Sequence, residues 1–204
     1  MTATPVGRVD CTIAPSADVA PDAEIGAGTR VWHLAQVRER ARLGRSCVVG
    51  RGAYVGPDVQ VGDYVKIQNY ALVYEPAEVG RGAFVGPAVV LTNDLHPRAI
   101  GPDGRPKGPD DWTPVGVVVG EGASLGARSV CVAPVKVGRW AMVGAGAVVV
   151  RDVPDHALVV GSPARRVGWV GRAGAPLQHA GDDVWQCPRT GERYREQGDR
   201  LHAL

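Results

Sequence analysis

From Ile13 to Leu91 an aliphatic residue returns at every sixth position without a miss: Ile13, Val19, Ile25, Val31, Val37, Leu43, Val49, Val55, Val61, Ile67, Val73, Val79, Val85 and Leu91. Neither an α-helix, which repeats near 3.6, nor a strand, which repeats near 2, produces that spacing. A second register accompanies the first. Four residues after each aliphatic one stand Ala17, Ala23, Thr29, Ala35, Ala41, Cys47, Ala53, Val59, Val65, Ala71, Ala77, Ala83 and Val89, all small. Each small residue precedes the next aliphatic one by two, so both point to one side of a short strand and the residue between them points away. The six-residue unit is therefore a short strand plus a turn, and the Gly or Pro after the aliphatic position is expected to supply the turn conformation. Such units cannot bury their faces alone, and the expected all-β fold is a stack of them, a solenoid in which each coil covers its neighbours. Burying one aliphatic side chain contributes roughly 1.5–3 kcal/mol, enough over about twenty repeats to offset the entropy of ordering Gly-rich turns. The spacing leaves the hand of the coil open.

Composition agrees with a narrow interior. In 204 residues Val, Ala and Gly dominate and there is one Phe, so the core is built from small and β-branched side chains. The formal net charge is +2 and Lys and Arg are scattered, which speaks against a nucleic-acid or membrane surface. Cys11, Cys47, Cys131 and Cys187 form no CxxC pair, so neither a disulfide framework nor a metal site is expected. The N-terminal MTATPVGRVD lacks a basic segment followed by an apolar one, and no apolar run approaches bilayer length. The expectation is a cytoplasmic protein.

The rhythm breaks at LTNDLHPRAIGPDGRPKGPDDWTPVG and resumes at Val119, Leu125, Val137, Val143 and Val149, with Cys131 in the aliphatic slot. An extruded segment, residues 92–114, inside an otherwise unbroken solenoid reads as a binding loop, with a tolerated surface insertion as the alternative. Asn93, Asp94 and His96 are its concentrated polar groups, placed where the chain leaves the column.

These words resemble the hexapeptide-repeat acyltransferases over roughly residues 13–169. The resemblance implies a left-handed parallel β-helix, triangular in section, that assembles as a homotrimer. VWHLAQVRERARLG and VKIQNYALVYEPAEVGRGAFVGPAVVLTNDLHPRA are similar, more specifically, to bacterial N-acetyltransferases of nucleotide-linked amino sugars. Closest is the group acting on the 3-amino group of a UDP-linked 2-acetamido-3-amino-glucuronate, and near relatives use dTDP-linked 3-amino-6-deoxyhexoses. By position in the family's words, Gln68, Asn69, Tyr74, Glu75 and Asp94 are implied to bind the sugar nucleotide, and Asn93 to hold the amine. Amides and a carboxylate suit sugar hydroxyls and an amine, since they offer donors and acceptors in fixed positions. Gln68 and Asn69 can equally be turn residues that satisfy backbone groups.

VGAGAVVVRDVPDHALVVGSPARRVGWV resembles the coenzyme A tail of the same family. It implies an acetyl-CoA groove formed by Ala145, Gly146, Ala147, Ser162, Pro163, Ala164, Arg165 and Arg166. Small residues admit a ligand close to the backbone, and the two arginines suit phosphates. Acyl transfer to an amine needs a neutral nucleophile and a donor for the oxyanion. His96 is the preferred general base. The alternative is that the departing coenzyme sulfur collects the proton while Asn93 holds the amine. His33 reads as a structural histidine, and no role is assigned to His156, His179 or His202.

The implied division is an acyltransferase domain over 1–169 and an appendage over 170–204. Relatives often carry paired cysteines in that appendage, like a small zinc ribbon, whereas this chain has Cys187 alone and is expected to keep at most a ribbon-like shape without metal. The implied function is acetyl-CoA-dependent N-acetylation of a UDP- or dTDP-linked amino sugar for a cell-surface glycan such as lipopolysaccharide. A small non-sugar amine is an alternative acceptor. A carbonic-anhydrase-like metalloenzyme, needing three convergent histidines, is a reading from another class, as is a non-catalytic binding solenoid.

Overall fold

A computed structural model describes residues 10–204. Residues 1–9, which the sequence reading included in the first domain and in its account of the N-terminus, lie outside the described residues. Three parallel sheets form the walls of a solenoid. The first face runs through Thr12–Ile13, Arg30–Val31, Val48–Val49, Lys66–Ile67, Phe84–Val85, Ser124–Leu125, Met142–Val143 and Ala157–Val160. The second holds Asp18–Val19, Gln36–Val37, Tyr54–Val55, Leu72–Val73, Val90–Leu91, Val130–Cys131 and Val148–Val149. Glu24–Ile25, Arg42–Leu43, Gln60–Val61, Glu78–Val79, Val117–Val119 and Val135–Val137 make the third. Residues eighteen apart pair in register, as in Lys66 with Phe84 and Ile67 with Val85, so three six-residue units make one coil. Among the described residues no helix is long and apolar enough to cross a membrane.

Every aliphatic residue of the period, with its small companion, faces the interior. Val49, Val55, Val73 and Val85 are fully buried together with Ala35, Ala41 and Ala71. Thr29, polar in the small register, is fully buried and satisfied: its Oγ1 donates to Gly44 O (2.8 Å) and accepts from Cys47 N (2.9 Å). Cys131 fills an aliphatic slot, and burial pushes its thiol up to about 12.

The corner glycines do a different job from the expected one. Left-handed backbone falls at the third residue after the aliphatic position, where Gly28, Gly52 and Gly122 stand, but so do Leu34 (φ 59°), Tyr70 (φ 60°) and Trp140 (φ 58°). The glycines that directly follow the aliphatic residue have ordinary backbone. They are required by tier-to-tier approach: a Cβ at Gly26 would lie 2.5 Å from Gly44 backbone, and one at Gly62 would lie 2.7 Å from Arg81 N. Coils stacked at strand spacing leave no room there for a side chain.

The extruded segment leaves and re-enters at the corner between the second and third faces. Thr92 and Asn93 remain in the coil: Thr92 N donates to Cys131 O (3.0 Å) and Thr92 Oγ1 accepts from Ala133 N (3.0 Å). A hydrogen bond from Val115 N to Asn93 O (2.9 Å) closes the neck. Beyond it Ile100 and Pro106 bridge antiparallel, and Pro109–Asp111 forms a single 3-10 turn.

After Ala157–Val160 the chain reverses, and Arg165–Trp169 pairs antiparallel with it. The last four strands, Gln178–His179, Val184–Gln186, Arg193–Gln197 and Arg200–Ala203, form a separate antiparallel sheet. It is fastened to the solenoid by buried Trp169 and Tyr194 and by Arg166. The Arg166 guanidinium lies 4.2 Å over the Trp169 ring and donates to Glu196 Oε1 (3.0 Å), whose other oxygen accepts from Trp185 Nε1 (2.8 Å).

Candidate functional site

Residues singled out in the sequence fall on two different corners. Gln68 and Asn69 sit between the first and second faces, in the same vertical row as Ala145 and Gly146 three coils further on. Gly161 and Ala164 continue that row, since Val148 N donates to Gly161 O (3.0 Å) and Ala164 N to Val148 O (2.7 Å). Ala145, Gly146, Ser162 and Pro163 are exposed there, whereas the Ala147 side chain is buried in the core and supports the corner from behind. Of the two arginines, Arg165 is exposed with its guanidinium bonded only to Ala164 O (2.9 Å), while Arg166 is committed to Glu196 and Trp169. Only Arg165 is free to meet a phosphate.

Tyr74, Glu75, Asn93, Asp94 and His96 belong to the corner between the second and third faces. Asp94 Oδ1 accepts from His96 N (2.8 Å), a tight local turn that leaves the imidazole exposed. The outer surface of the second face, with Gln36, Tyr54, Leu72 and Val90, separates the two corners of one chain.

A regularity in the corner hydrogen bonds tells some of these residues apart. At three corners that begin with glycine, an acidic or amide side chain from the following coil enters the space a Cβ would have taken and accepts the next N–H. Asp63 does this at Gly44, accepting from Arg45 N (2.7 Å); Asn69 does it at Gly50, accepting from Arg51 N (2.9 Å); Asp155 does it at Gly138, accepting from Arg139 N (2.7 Å). These donors hold Asp63 below the usual carboxylate range, the Arg45 N–H being the largest cause. Asn69 is thus a backbone cap, the alternative reading offered by the sequence, with only its amide nitrogen left for a ligand. Gln68 is half-buried beside it.

The next corner breaks the pattern. Glu75 occupies the same place under Gly56, but the residue after Gly56 is Pro57, which has no N–H. Glu75 Oε2 is buried without a hydrogen-bond partner. One coil on, Asn93 holds the equivalent position, but Tyr74 stands where a glycine would admit it. Its backbone oxygen closes the neck of the extruded segment, and its side-chain amide is spent on no cap. Buried polar groups are ordinarily paired; among the described residues Glu75 Oε2 and, at the corner between the first and second faces, Ser129 Oγ are buried without a partner.

Around Glu75 the Tyr54 and Tyr74 rings lie 5.1 Å apart and tilted at 49°. Burial, then the charge of Glu75, pushes the Tyr54 hydroxyl up, so it remains a phenol. Arg38 is gripped at two points by Glu39 (2.9 and 3.0 Å), and that hydrogen bond holds Glu39 below its usual range. Pro57 and Tyr54 were missed by motif reading; writing the sequence in rows of eighteen places Pro57 directly above Glu75 and would have shown it.

Elsewhere, His33 Nδ1 is bonded to Ser16 Oγ (2.9 Å). Of the other histidines, His156 contacts Val170 O (2.9 Å) and Tyr194, His179 packs edge-on to Trp185, and His202 lines a cleft with Asp199 and Arg139. Among the described residues no group of three or more His, Cys, Asp or Glu is arranged to hold a metal.

Residues 40–75 match the family described as bacterial transferase hexapeptide (six repeats). The chain is 48% identical over 79 residues to a dTDP-3-amino-3,6-dideoxy-α-D-galactopyranose 3-N-acetyltransferase of Aneurinibacillus thermoaerophilus, a stretch covering 38% of this chain and 40% of that protein. To serine acetyltransferase 4 of Arabidopsis thaliana it is 46% identical over 52 residues, 26% of this chain and 15% of the relative. The chain therefore spans less than half the length of these curated relatives. Among solved structures, AntD, an N-acyltransferase from Bacillus cereus, superposes with a TM-score of 0.54 at 20% identity, covering 82% of this chain and 84% of that one. That likeness establishes the fold alone.

Proposed function

We propose that the chain is an acyl-CoA-dependent N-acyltransferase, with acetyl-CoA as donor and the 3-amino group of a nucleotide-linked sugar as acceptor. The observation that carries this is the 48% identity over 79 residues to an enzyme of that named activity. The distribution of polar groups supports it: a corner rich in small exposed residues with Arg165 free suits a long, flat phosphorylated donor, and a corner with an unpaired carboxylate and amide suits an amine. In one column these corners lie on opposite sides of the second face. A neighbouring copy, as in a trimer of columns, brings the extruded segment of one against the small-residue corner of the next.

In that cleft the amine lone pair attacks the thioester carbonyl carbon, a C–N bond forms, and the tetrahedral oxyanion collapses with loss of the coenzyme thiolate. Asn93 holds the amine and His96 takes its proton, with the sugar nucleotide further held by Gln68, Asn69, Tyr74, Glu75 and Asp94. Ala145, Gly146, Ser162, Pro163 and Ala164 let the donor lie close to the backbone, and Arg165 meets its phosphates.

The direct test is thiol release from acetyl-CoA against a panel of UDP- and dTDP-linked 3- and 4-amino sugars; no turnover with any member would remove the proposed substrate class. His96→Asn is expected to lower kcat by about 100-fold and to abolish the acid limb of its pH profile. Retained turnover across pH would assign the proton to the departing sulfur.

A further inference from the structure

We infer that the terminal antiparallel sheet takes part in donor binding: Glu196, acting through Arg166, is a positioning residue that fixes the strand presenting Arg165. This rests on the reading of Arg165 as a phosphate contact, and it gives residues 178–203 a duty beyond shape.

Arg165 and Arg166 are neighbours with opposite orientations. In the antiparallel pair that closes the column, Arg165 stands opposite Val160 and Arg166 opposite Val159, while Gly168 and Trp169 oppose Leu158 and Ala157. Residues directly opposite share a side of the sheet. Val159 and Ala157 are buried and Val160 is exposed, so Arg166 and Trp169 turn inwards and Arg165 turns out. On a regular strand, residues three apart would point to opposite sides. The register shift between Leu158 and Val159 leaves Val167 as an extra, exposed residue, and this bulge brings Arg166 and Trp169 to one side. The guanidinium can then lie 4.2 Å over the indole.

Beyond the indole Arg166 meets two acids of the terminal sheet, Glu196 (3.0 Å) and Asp199 (3.5 Å). The Asp199 side chain is 91% exposed and contributes little, whereas that of Glu196 is 26% exposed. Burial raises the Glu196 carboxyl, but hydrogen bonds from Trp169, Arg166 and Trp185 outweigh it and hold the group below the usual carboxylate range, so it stays an anion. Tyr194 and Leu201 root the same sheet in the core. The far end of the clamp is thus rigid. Arg165 has no comparable anchor, its guanidinium touching only Ala164 O. An arginine that closes on a phosphate loses rotamer freedom, and a loose backbone beneath it adds to that cost. A bulge is where such looseness would enter, since its extra residue lacks a ladder partner. Holding Arg166 removes the backbone share and leaves the Arg165 side chain free to reach.

Calorimetric binding of CoA, with steady-state kinetics on acetyl-CoA, tests this. Arg165→Ala is expected to raise KM for acetyl-CoA about 50-fold. Glu196→Gln should raise it about tenfold while kcat and KM for the amino sugar stay within about twofold. Combining the two should be no worse than Arg165→Ala alone, because Glu196 acts only through Arg165. Glu192→Gln is the control: its partners Tyr194 and Thr190 lie within the terminal sheet and its turn, so Tm should fall with KM for acetyl-CoA unchanged. Arg166→Lys keeps the charge but gives up the flat contact with Trp169; it should raise KM about threefold, and it carries the test if Glu196→Gln does not fold. Unchanged KM in whichever of these two variants folds, additive losses in the double variant, or an equal rise in Glu192→Gln overturns the clamp while the phosphate reading stands. If Arg165→Ala binds CoA as tightly as wild type, the phosphate reading fails and the clamp falls with it.

Discussion

The corner between the third and first faces and the corner between the second and third are made from the same six-residue unit, yet one is closed upon itself and the other is not. At the former, cation and anion alternate from coil to coil: Arg45 with Asp63 (3.2 Å), Arg81 with Glu121 (3.6 Å) and Arg139 with Asp155 (2.8 Å). Rings add to this, Tyr64 lying under Arg81 at 4.9 Å. At the latter Arg40 pairs with Asp58 (2.7 Å) in the upper coils, but below them Glu75 and Asn93 are left without caps. The lesson is that residue type does not separate a structural carboxylate from a binding one in a stacked fold. What separates Asp63 and Asn69 from Glu75 is the residue one coil away: Arg45 and Arg51 offer an N–H to be capped, while Pro57 offers none.

The sharpest way to break this comparison is to test whether the closed corner is governed by packing. Gly62→Ala sets a Cβ 2.7 Å from Arg81 N, backbone that cannot step aside. It should cost more than about 3 kcal/mol by denaturant unfolding. Gly82→Ala meets nothing within 4 Å and is strained only by its φ of +67°, so about 1 kcal/mol is expected. Equal losses would refute the close-approach account. Asn93→Ala should lower kcat/KM for the amino sugar about 100-fold, near 2.7 kcal/mol, with an unchanged Tm. Asp63→Ala is its mirror, lowering the denaturant midpoint with kcat/KM unaffected.

Acid sharpens the comparison further. Burial holds His156, at the closed corner, below its ordinary 6.5 against the opposing effect of its Val170 hydrogen bond. Unfolded chains therefore take up the proton first. The contribution is complete above pH 6.5 and is lost as pH falls from there towards the folded value. Denaturant midpoints measured from pH 8 to 5 should decline, and His156→Asn should flatten the curve. The smallest effect belongs to the exposed pair Arg40–Asp58: Arg40→Ala should shift the denaturant midpoint least of all, and the loss should vanish at high salt.

Much of this was legible in the sequence because period and chemistry coincide. Ile13 to Leu91 and the small register predict stacked short strands and the inward side chains without a shift, the three walls being what the family resemblance implies, and the reset before Val119 marks where the chain leaves the column. The glycines were misread because a turn conformation and a close approach leave the same residue in the sequence; only the backbone of the adjacent coil, eighteen residues away, distinguishes them. Arg166 looked like a phosphate ligand for a similar reason. Its partners Glu196 and Trp169 are set by how the terminal sheet docks, and no local spacing encodes that contact. Asn69 was undecidable because its two sides have different duties, one oxygen capping Arg51 and one nitrogen facing outward.

The neck formed by Val115 N and Asn93 O has a consequence for how such a protein diversifies. Since the chain departs and returns at a single point, the intervening stretch can be lengthened, shortened or rewritten while every storey above and below keeps its alignment. Acceptor preference can then drift through that excursion, on a tower whose masonry does not register the change.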